Sequence, residues 1–459
     1  MKNKYDLTKG NILYKLTCLS LPIMGMSLIQ MAYNMIDMIW IGRLGKEAVA
    51  AVGTAGFFLK FGFAITALIF IGTGIRTSQS VGEKNYQKAN SYAETSIINI
   101  IGLITIFIAL TLIFRYHLVG FFKLNHPEIE KMTVDYMTIA AFGIFFSSLS
   151  LVFTRIFNGH GDGKTPFLIT SIGLILNIIL DPILIFGLFG FPRLEVIGAA
   201  IATVLSQVIV SAILFIYLRK NYQIFTNGFI YDMEKTKDII KIGSPIAAQR
   251  ILFTAFSVFI ARIIANWGAD AIAVQRIGVQ IESISWITAG GFQGALAAFV
   301  GQNYGAKKYD RIKKGYFNAI GIISVLGIFA SFVLIVFPEP IFRIFLQDDY
   351  IVRLGSSYLR ILGVSQLFMV VEMTTVGGFQ GIGKTLPPSI VSIVLTGCRI
   401  PMALLLSATA LELNGIWWSI SISSILKGIV LPIWFIIHLK KFNEDKTLIP
   451  NKKYSINNN

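Results

Sequence analysis

Twelve apolar stretches, each close to the roughly 20 residues that span a bilayer as a helix, constrain this chain more than any other feature. Examples are 97–114, 168–186 and 320–337. Hydrophobic residues make up 54% of the 459 positions and charged residues only 14%, whereas a soluble domain carries roughly a quarter charged residues. We therefore predict an all-α polytopic membrane protein in which every apolar stretch is a transmembrane helix.

The predicted spans leave only short connections, so no soluble domain is expected between them. They are 15–38, 51–75, 93–115, 132–158, 166–189, 196–218, 239–265, 279–302, 315–337, 355–381, 388–408 and 414–438. The first stretch contains Gln30, Asn34 and Asp37 and is not followed by a small-residue cleavage site. It is therefore interpreted as a retained helix and not as a signal peptide.

The net charge of +16 is distributed by loop, which argues against nucleic-acid binding. Alternate connections are rich in Lys and Arg, including 219–241 and 307–314, and the opposite set holds about a third as many basic residues. The positive-inside rule then places both termini in the cytoplasm of a multi-pass protein of the inner or plasma membrane. We expect the lipid bilayer to surround a monomer.

An internal repeat divides the chain into two copies. Residues that recur at an offset of 223 or slightly less include Pro22 and Pro245, Gly45 and Gly268, Gln79 and Gln302, Gly82 and Gly305, and the tripeptides 163–165 and 383–385. The predicted domains are an N-lobe at 1–218, a cytoplasmic linker at 219–238, a C-lobe at 239–438 and a cytoplasmic tail at 439–459. Each lobe has six helices, so the two pseudo-symmetric lobes enter the membrane in the same orientation, as in many transporters.

The first predicted span carries a stripe of polar residues at helical spacing. The stripe consists of Ser27, Gln30, Asn34 and Asp37, with Tyr33 beside it. A charge near the bilayer centre costs about 2.5 kcal/mol or more, so such residues are usually functional. The alternative is that they satisfy a helix end near the membrane surface.

Further polar residues stand in the fifth and sixth spans of the same lobe. Asn177 and Asp181 are four residues apart and share one helix face, and Thr203 follows a run of small residues. If Asp37 and Asp181 share a cavity, one should take a proton or both should hold a cation. The predicted coupling ion is therefore H+ or Na+, with Asp37, Asn177, Asp181 and Thr203 as the Na+ ligands. No other cofactor is predicted.

The second lobe differs in chemistry, because Ile260 stands at the position that corresponds to Asp37. Glu282 and Glu372 fit either a substrate path or structural ion pairs with arginines. A soft apolar lining for cationic compounds is predicted from Trp286, Met369 and Met373, for which simple packing is the alternative.

The segment 378–385 matches the P-loop pattern, but it closes an apolar helix and is followed by two prolines. A P-loop needs a preceding strand and a following helix to hold phosphate. We therefore predict a helix-end turn that does not bind ATP, and an ion gradient as the energy source.

Taken together, these segments resemble the multidrug and toxic compound extrusion (MATE) family from about residue 17 to 438. The motifs are the first-span segment from Pro22 to 37–45, the loop 78–82 with its mate 301–305, the turn 158–166, and the helix segment 177–182. The resemblance implies an antiporter that expels cationic or amphipathic compounds in exchange for H+ or Na+.

Resemblance to the DinF-like branch of that family implies an ion-coupling site in the N-lobe. The residues that correspond to the site of that branch are Gln30, Tyr33, Asp37, Asn177, Asp181 and Thr203, with Tyr136 on the fourth helix. A fourth-helix asparagine of some members falls near Leu151, which cannot ligate an ion and so favours H+ over Na+. Two alternatives stay open: a flippase for a lipid-linked or polysaccharide substrate, and a membrane receptor or scaffold that transports nothing. An enzyme is not predicted.

Overall fold

The computed structural model describes residues 5–122, 124, 126–226 and 231–447. Within these ranges all regular structure is helical, and twelve helices are long and apolar enough to cross a membrane. They are α1 (Ile12–Gly42), α2 (Lys46–Gly82), α3 (Tyr86–Ile113), α4 (Pro127–Gly159), α5 (Lys164–Phe186), α6 (Glu195–Tyr222), α7 (Met233–Ala265), α8 (Ala269–Gly305), α9 (Tyr309–Val336), α10 (Asp349–Gly381), α11 (Leu386–Ser407) and α12 (Glu412–Thr447). The predicted helix number and fold class are confirmed.

The helices run beyond the predicted spans at many ends. α2 and α8 each have 37 residues, a length of about 55 Å that exceeds the roughly 30 Å hydrocarbon core. The predicted linker 219–238 is mostly helical where it is described, because α6 continues to Tyr222 and α7 begins at Met233. α12 extends into the predicted tail as far as Thr447; residues 227–230 of the linker and 448–459 of the tail lie outside the described residues. α11 is broken at Cys398 into two segments.

The backbone repeats between the two halves more closely than the sequence does. α3 and α9 both have 28 residues, and α4 and α10 both have 33. Lys84 and Lys307 both adopt a left-handed backbone, with φ of 59° and 56°, at the corresponding turn. The internal repeat that scattered glycines and prolines predict is therefore also present in the helix lengths and turn conformations.

One helix of each lobe packs against the other lobe. In the N-lobe α2 packs against α4, and in the C-lobe α8 packs against α10. Across the boundary α1 lies against α8, and its repeat mate α7 lies against α2. Leu16 and Ile23 of α1 accordingly belong to the apolar core of the C-lobe, and Ile239 and Ile246 of α7 to that of the N-lobe.

The lobes meet tightly at the end of the bundle where α2 and α8 finish, which we call the closed end. A Cβ added to Gly82 would lie 1.9 Å from the carbonyl oxygen of Gln302, and one added to Gly305 would lie 1.9 Å from that of Gln79. Gln79 Nε2 donates to the carbonyl of Gly381 at 2.9 Å, and Gln302 Nε2 donates to that of Gly159 at 2.9 Å. The repeated glycines and glutamines thus form one symmetric contact between the lobes.

A segment before α1 covers the closed end. The amide of Leu7 donates to Gln302 Oε1 at 3.0 Å, and Arg311 of α9 donates to the carbonyls of Leu7, Lys9 and Gly10. This segment therefore ties the start of α1 to the C-lobe.

Candidate functional site

Four polar side chains from three helices meet inside the N-lobe, and we call them the N-lobe cluster: Asp37 of α1, Asn177 and Asp181 of α5, and Thr203 of α6. Thr203 Oγ1 donates to Asp37 Oδ2 at 3.3 Å. Asn177 Nδ2 donates to Asp181 Oδ1 at 3.1 Å. Asn177 and Asp181 have no exposed surface, and Asp37 and Thr203 are partly buried, so the cluster lies largely inside the helices that supply it.

Local sequence explains how three helices come so close. Asn177 and Asp181 are one helical turn apart and face the same way. Gly198 of α6 lies against the backbone of Leu184, where an added Cβ would be 2.4 Å from the carbonyl oxygen. Ala199 and Ala200 follow and are buried. Small residues let α6 approach α5, and this approach brings the Thr203 hydroxyl to the acids.

The cluster has more hydrogen-bond acceptors than donors. Asp37 Oδ1, Asp181 Oδ2 and Asn177 Oδ1 are buried and have no donor among the described residues. The carboxyl groups of Asp37 and Asp181 are near enough to share a hydrogen bond once one of them carries a proton. Buried acceptors are nearly always satisfied, and two adjacent carboxylates cannot both be ionised cheaply. The arrangement therefore favours uptake of a proton or a cation.

The neighbouring residues that the sequence singled out divide into two groups. Tyr33 is half-buried and its hydroxyl donates to the carbonyl of Thr203 at 3.4 Å. Tyr136 is buried within electrostatic reach of both acids of the cluster. Gln30 and Asn34 are exposed on the same helix, and neither makes a hydrogen bond within the described part of the chain. The structure brings the two tyrosines to the cluster and leaves the two amides outside it.

Oxygen atoms dominate the cluster, which suits a hard cation such as Na+ as well as a proton. The described residues contain no group of three or more His, Cys, Asp and Glu side chains that would hold a metal ion. A Na+ ion would therefore depend on the two carboxylates together with the oxygens of Asn177 and Thr203.

The acids of the C-lobe have partners. We call the first of these acids, Glu372, together with its partner Lys427 the C-lobe pair. Glu372 Oε2 of α10 lies 2.9 Å from Lys427 Nζ of α12, and both side chains are more than nine-tenths buried. Ser392 Oγ also donates to Glu372, at 3.3 Å. The sequence pattern predicts a role for Glu372 but not for Lys427, although a single lysine in the last apolar span is a signal for a buried partner.

Glu282 of α8 is hydrogen-bonded to a tyrosine, whereas one of the two predictions from the sequence was an ion pair with an arginine. The hydroxyl of Tyr358 hydrogen-bonds Glu282, while Glu282 Oε1 is buried without a donor. Arg399 donates to Ser423 Oγ at 3.0 Å and to Ser424 Oγ at 3.1 Å. Glu372 is thus neutralised by a lysine of its own lobe, whereas Glu282 has a tyrosine as its partner and one oxygen without a donor.

The remaining C-lobe candidates differ in exposure. Met369 and Met373 are partly buried and pack against the large apolar core that joins α8, α9, α10 and α12. The side chain of Trp286 is 44% exposed. The two methionines pack against this core and Trp286 leaves much of its surface exposed, so a lining for the substrate by these residues stays a prediction.

The P-loop-like segment is a helix-end turn, as predicted. Its first four residues complete α10, and Gly383 turns the chain with φ of 80°. Lys384 Nζ lies 2.7 Å from His438 Nε2, and Thr385 Oγ1 donates to the carbonyl of Ile242 at 2.8 Å. The groups that would hold phosphate are bound to the protein itself.

Known proteins with this architecture are transporters. A family model described as MatE matches residues 22–183 and 245–405, one stretch in each lobe. The probable multidrug resistance protein NorM of Thermotoga maritima is 29% identical over 91% of each chain. A protein of Shewanella oneidensis named FAD transporter is 27% identical over 79% of this chain and 80% of its own.

Solved structures agree with this match. An outward-facing multidrug resistance MATE family transporter of the MOP superfamily has a TM-score of 0.87 and 26% identity, covering 96% of this chain and 99% of its own. Together with twelve helices in two lobes among the described residues, the family match defines a multi-pass membrane transporter and not an enzyme. The chain belongs to the MatE family of multidrug efflux transporters.

Proposed function

We propose that this transporter is an antiporter that exports amphipathic small molecules in exchange for H+ or Na+ that binds at the N-lobe cluster. The observation that carries the proposal is the set of three buried acceptors without donors on Asp37, Asn177 and Asp181. A proton shared by the two acids, or a cation held between them, would satisfy these atoms. Release of that ion on the other side of the membrane would then supply the driving force.

The position of the lobe contact supports alternating access. Every hydrogen bond between the lobes in the described ranges lies near the closed end, as with Gln79 and Gln302. Basic loops make this end the cytoplasmic one by the positive-inside rule, so the transporter is closed to the cytoplasm and both termini lie there. The cell membrane and a monomeric state remain part of the proposal.

The relatives leave the charge of the substrate open. One is named a multidrug resistance protein, and another is named for FAD, which carries a negatively charged diphosphate. The family resemblance of the sequence implies cationic or amphipathic compounds. The amphipathic character, and not the sign of the charge, is what we retain here.

The test uses purified protein in liposomes loaded with a fluorescent substrate. A pH gradient and a Na+ gradient are applied separately, and the active one identifies the ion. Asp37→Asn should abolish gradient-driven efflux while the melting temperature stays near the wild-type value, because a neutral amide keeps the shape of the side chain. Asp135→Asn, an acid of the same lobe outside the cluster, is the matched control and should transport normally. Wild-type efflux by Asp37→Asn, or no response to either gradient, would refute the proposal and favour a scaffold that transports nothing.

A further inference from the structure

Two arginine side chains meet where the lobes touch. Arg155 belongs to α4 of the N-lobe and Arg250 to α7 of the C-lobe. The guanidinium carbon of Arg155 lies 5.2 Å from the ring centre of Phe70, and that of Arg250 lies 5.8 Å from the same centre. Since both side chains contact one ring, the two positive charges are neighbours. We call them the arginine pair.

The pair lies at the base of the space between the lobes. Arg155 reaches across the boundary to α8, where a Cβ added to Gly294 would be 2.9 Å from its Nη1. Arg250 reaches in the opposite direction, from α7 to Phe70 of α2. Two helical turns nearer the closed end, Gly243 of α7 packs against the backbone of Leu68. The arginine pair therefore stands just beyond the tight contact, on its side away from the closed end.

Neither arginine has an acidic partner. The ion pairs of the described residues include neither Arg155 nor Arg250, and the one charged group that acts on Arg155 is Arg250 itself. Phe70 is 4% exposed, so its ring offsets part of the repulsion by a cation–π contact without being available to a ligand. Two like charges held side by side without an acid repel each other, so the pair favours a nearby anion.

Several other basic side chains inside the bundle have partners. Lys427 is paired with Glu372, and Arg399 is bonded to two serines. Arg76 of α2, close to the closed end, is paired with Asp238. The arginine pair at the lobe boundary differs from these in that each guanidinium has the other, and no acid, as its charged neighbour.

We infer that Arg155 and Arg250 bind the anionic group of the transported molecule, a carboxylate, sulfonate or phosphate on an amphipathic compound. This inference rests on the proposed export function and narrows its substrate class to anionic or zwitterionic amphipaths. Guanidinium groups suit such ligands because each presents paired donors to an oxyanion. Arg250 is exposed and Arg155 is half-buried, so a ligand can reach both while Phe70 holds them in place.

The two arginines belong to different lobes, and this couples the proposed anion site to the movement of the lobes. One guanidinium comes from each lobe, so both can contact a single anion only while the lobes are arranged as they are here. Rotation of the lobes separates the pair and weakens binding. The substrate is thereby held in one state and released in the other, as alternating access requires.

Equilibrium binding to the purified full-length protein tests the inference. Two fluorescent dyes of similar size are compared by anisotropy, the anionic carboxyfluorescein and the cationic rhodamine 6G. The wild-type protein should bind carboxyfluorescein, and Arg250→Gln should weaken that binding about tenfold or more, equal to about 1.4 kcal/mol. Rhodamine 6G should bind no more weakly to the variant. Arg250→Lys should retain part of the affinity, and Arg155→Gln should act in the same direction as Arg250→Gln.

Arg262→Gln is the matched control, because Arg262 is an exposed arginine further along α7. It should leave both affinities unchanged. The inference is wrong if Arg250→Gln melts like the wild type and binds carboxyfluorescein equally well, or if the wild type binds only the cationic dye. A competition experiment with two lipids distinguishes two possible sources of the anion. Displacement by short-chain phosphatidylglycerol but not phosphatidylcholine would indicate a lipid headgroup, and displacement by neither would indicate a soluble compound.

Failure of this inference can be told apart from failure of the proposed function. Asp37→Asn should bind carboxyfluorescein as the wild type does but should not export it under any gradient. If the wild type binds the anionic dye through the arginines and no gradient moves it, antiport is refuted and the anion site stands. If gradients drive export of the cationic dye alone and the arginine variants change nothing, antiport stands and the anion site is refuted.

Discussion

The two lobes share a backbone and differ in how they balance buried charge. The N-lobe cluster holds two acids, Asp37 and Asp181, with a threonine and an asparagine but no base. The C-lobe holds Glu372 against Lys427, so the cation is part of the chain. The pair of Glu372 and Lys427 needs no external cation, whereas the two acids of the N-lobe cluster favour a proton or a cation. Charge balance, and not helix arrangement, thus separates a site able to exchange cations from a structural one.

The buried charges differ between the lobes, whereas the glutamine-to-carbonyl contacts at the closed end are the same in both. Gln79 and Gln302 make the same cross-lobe hydrogen bond in opposite directions, each to the last turn of a helix in the other lobe. In the proposed alternating-access cycle both halves move apart together, and a symmetric contact suits such a movement. The proposed ion site lies in one lobe only, so the corresponding positions of the other lobe are free to differ.

The largest effect should come from neutralising the second acid of the N-lobe cluster. Asp181→Asn removes one of the two carboxyls of the proposed ion site, so gradient-driven efflux from liposomes should fall to the level of empty liposomes. Ser392→Ala, which removes a hydrogen bond to Glu372 in the C-lobe, should leave efflux driven by the gradient. Equal loss of efflux in both variants would contradict the division of roles between the lobes.

The C-lobe pair should govern stability. Lys427→Met leaves the buried charge of Glu372 unpaired, and breaking such a pair costs about 3–5 kcal/mol. Thermal unfolding in detergent should show a clearly lower melting temperature. Adding Glu372→Met should restore most of the loss, because no unpaired charge remains. Lys46→Met is the control, since the Lys46 side chain is 92% exposed. A single variant as stable as the wild type would show that the pair is not structural.

A histidine at the end of α4 should make the N-lobe sensitive to acid. Burial lowers the pKa of His160 from 6.5 to about 4 because it disfavours the charged imidazolium, and the ring packs 4.0 Å from that of Tyr222. Since the folded pKa is below the unfolded one, this contribution is complete above pH 6.5 and is lost as the pH falls toward 4.

The corresponding loss amounts to about 3 kcal/mol at most. Melting temperatures of the wild type and His160→Gln should therefore converge as the pH falls from 7 to 4. The repeat mate of His160 in the C-lobe is Gln380, which does not titrate. A constant difference between the two proteins over this pH range would disprove the assignment.

The smallest effect should come from the symmetric glutamines. Gln79→Ala removes one cross-lobe hydrogen bond, worth about 1 kcal/mol, and Gln302→Ala removes two, to Gly159 and from Leu7. Spin labels at the exposed positions 83 and 313, one in each lobe, should show a larger population of long distances across the closed end in either variant. The effect of Gln302→Ala should be the larger of the two, and Gln347→Ala, at an exposed C-lobe position, should have none. A larger effect of Gln79→Ala would mean that these hydrogen bonds do not hold the closed end together.

Several features of the site follow from local pattern alone. The face shared by Asn177 and Asp181 is a matter of helical spacing, and the small residues before Thr203 predict close packing of α6. The position of Asp37 on the polar stripe of α1 follows in the same way. Their meeting in one cluster was an inference from this pattern and from family resemblance, and the structure brings them together at hydrogen-bond distance.

By itself, the sequence determined the helix number, the duplication and the first lobe as the seat of the paired acids, because apolar length, repeated glycines and residue spacing are properties of short segments. Tertiary structure alone decided that Glu372 takes Lys427, that Glu282 takes Tyr358, and that Arg155 and Arg250 share one aromatic ring. These partners lie far apart in the chain, and helix rotation and packing choose among several candidates of equal chemistry. Hydropathy measures only transfer into lipid, so it carries no information about which charge a buried charge will meet.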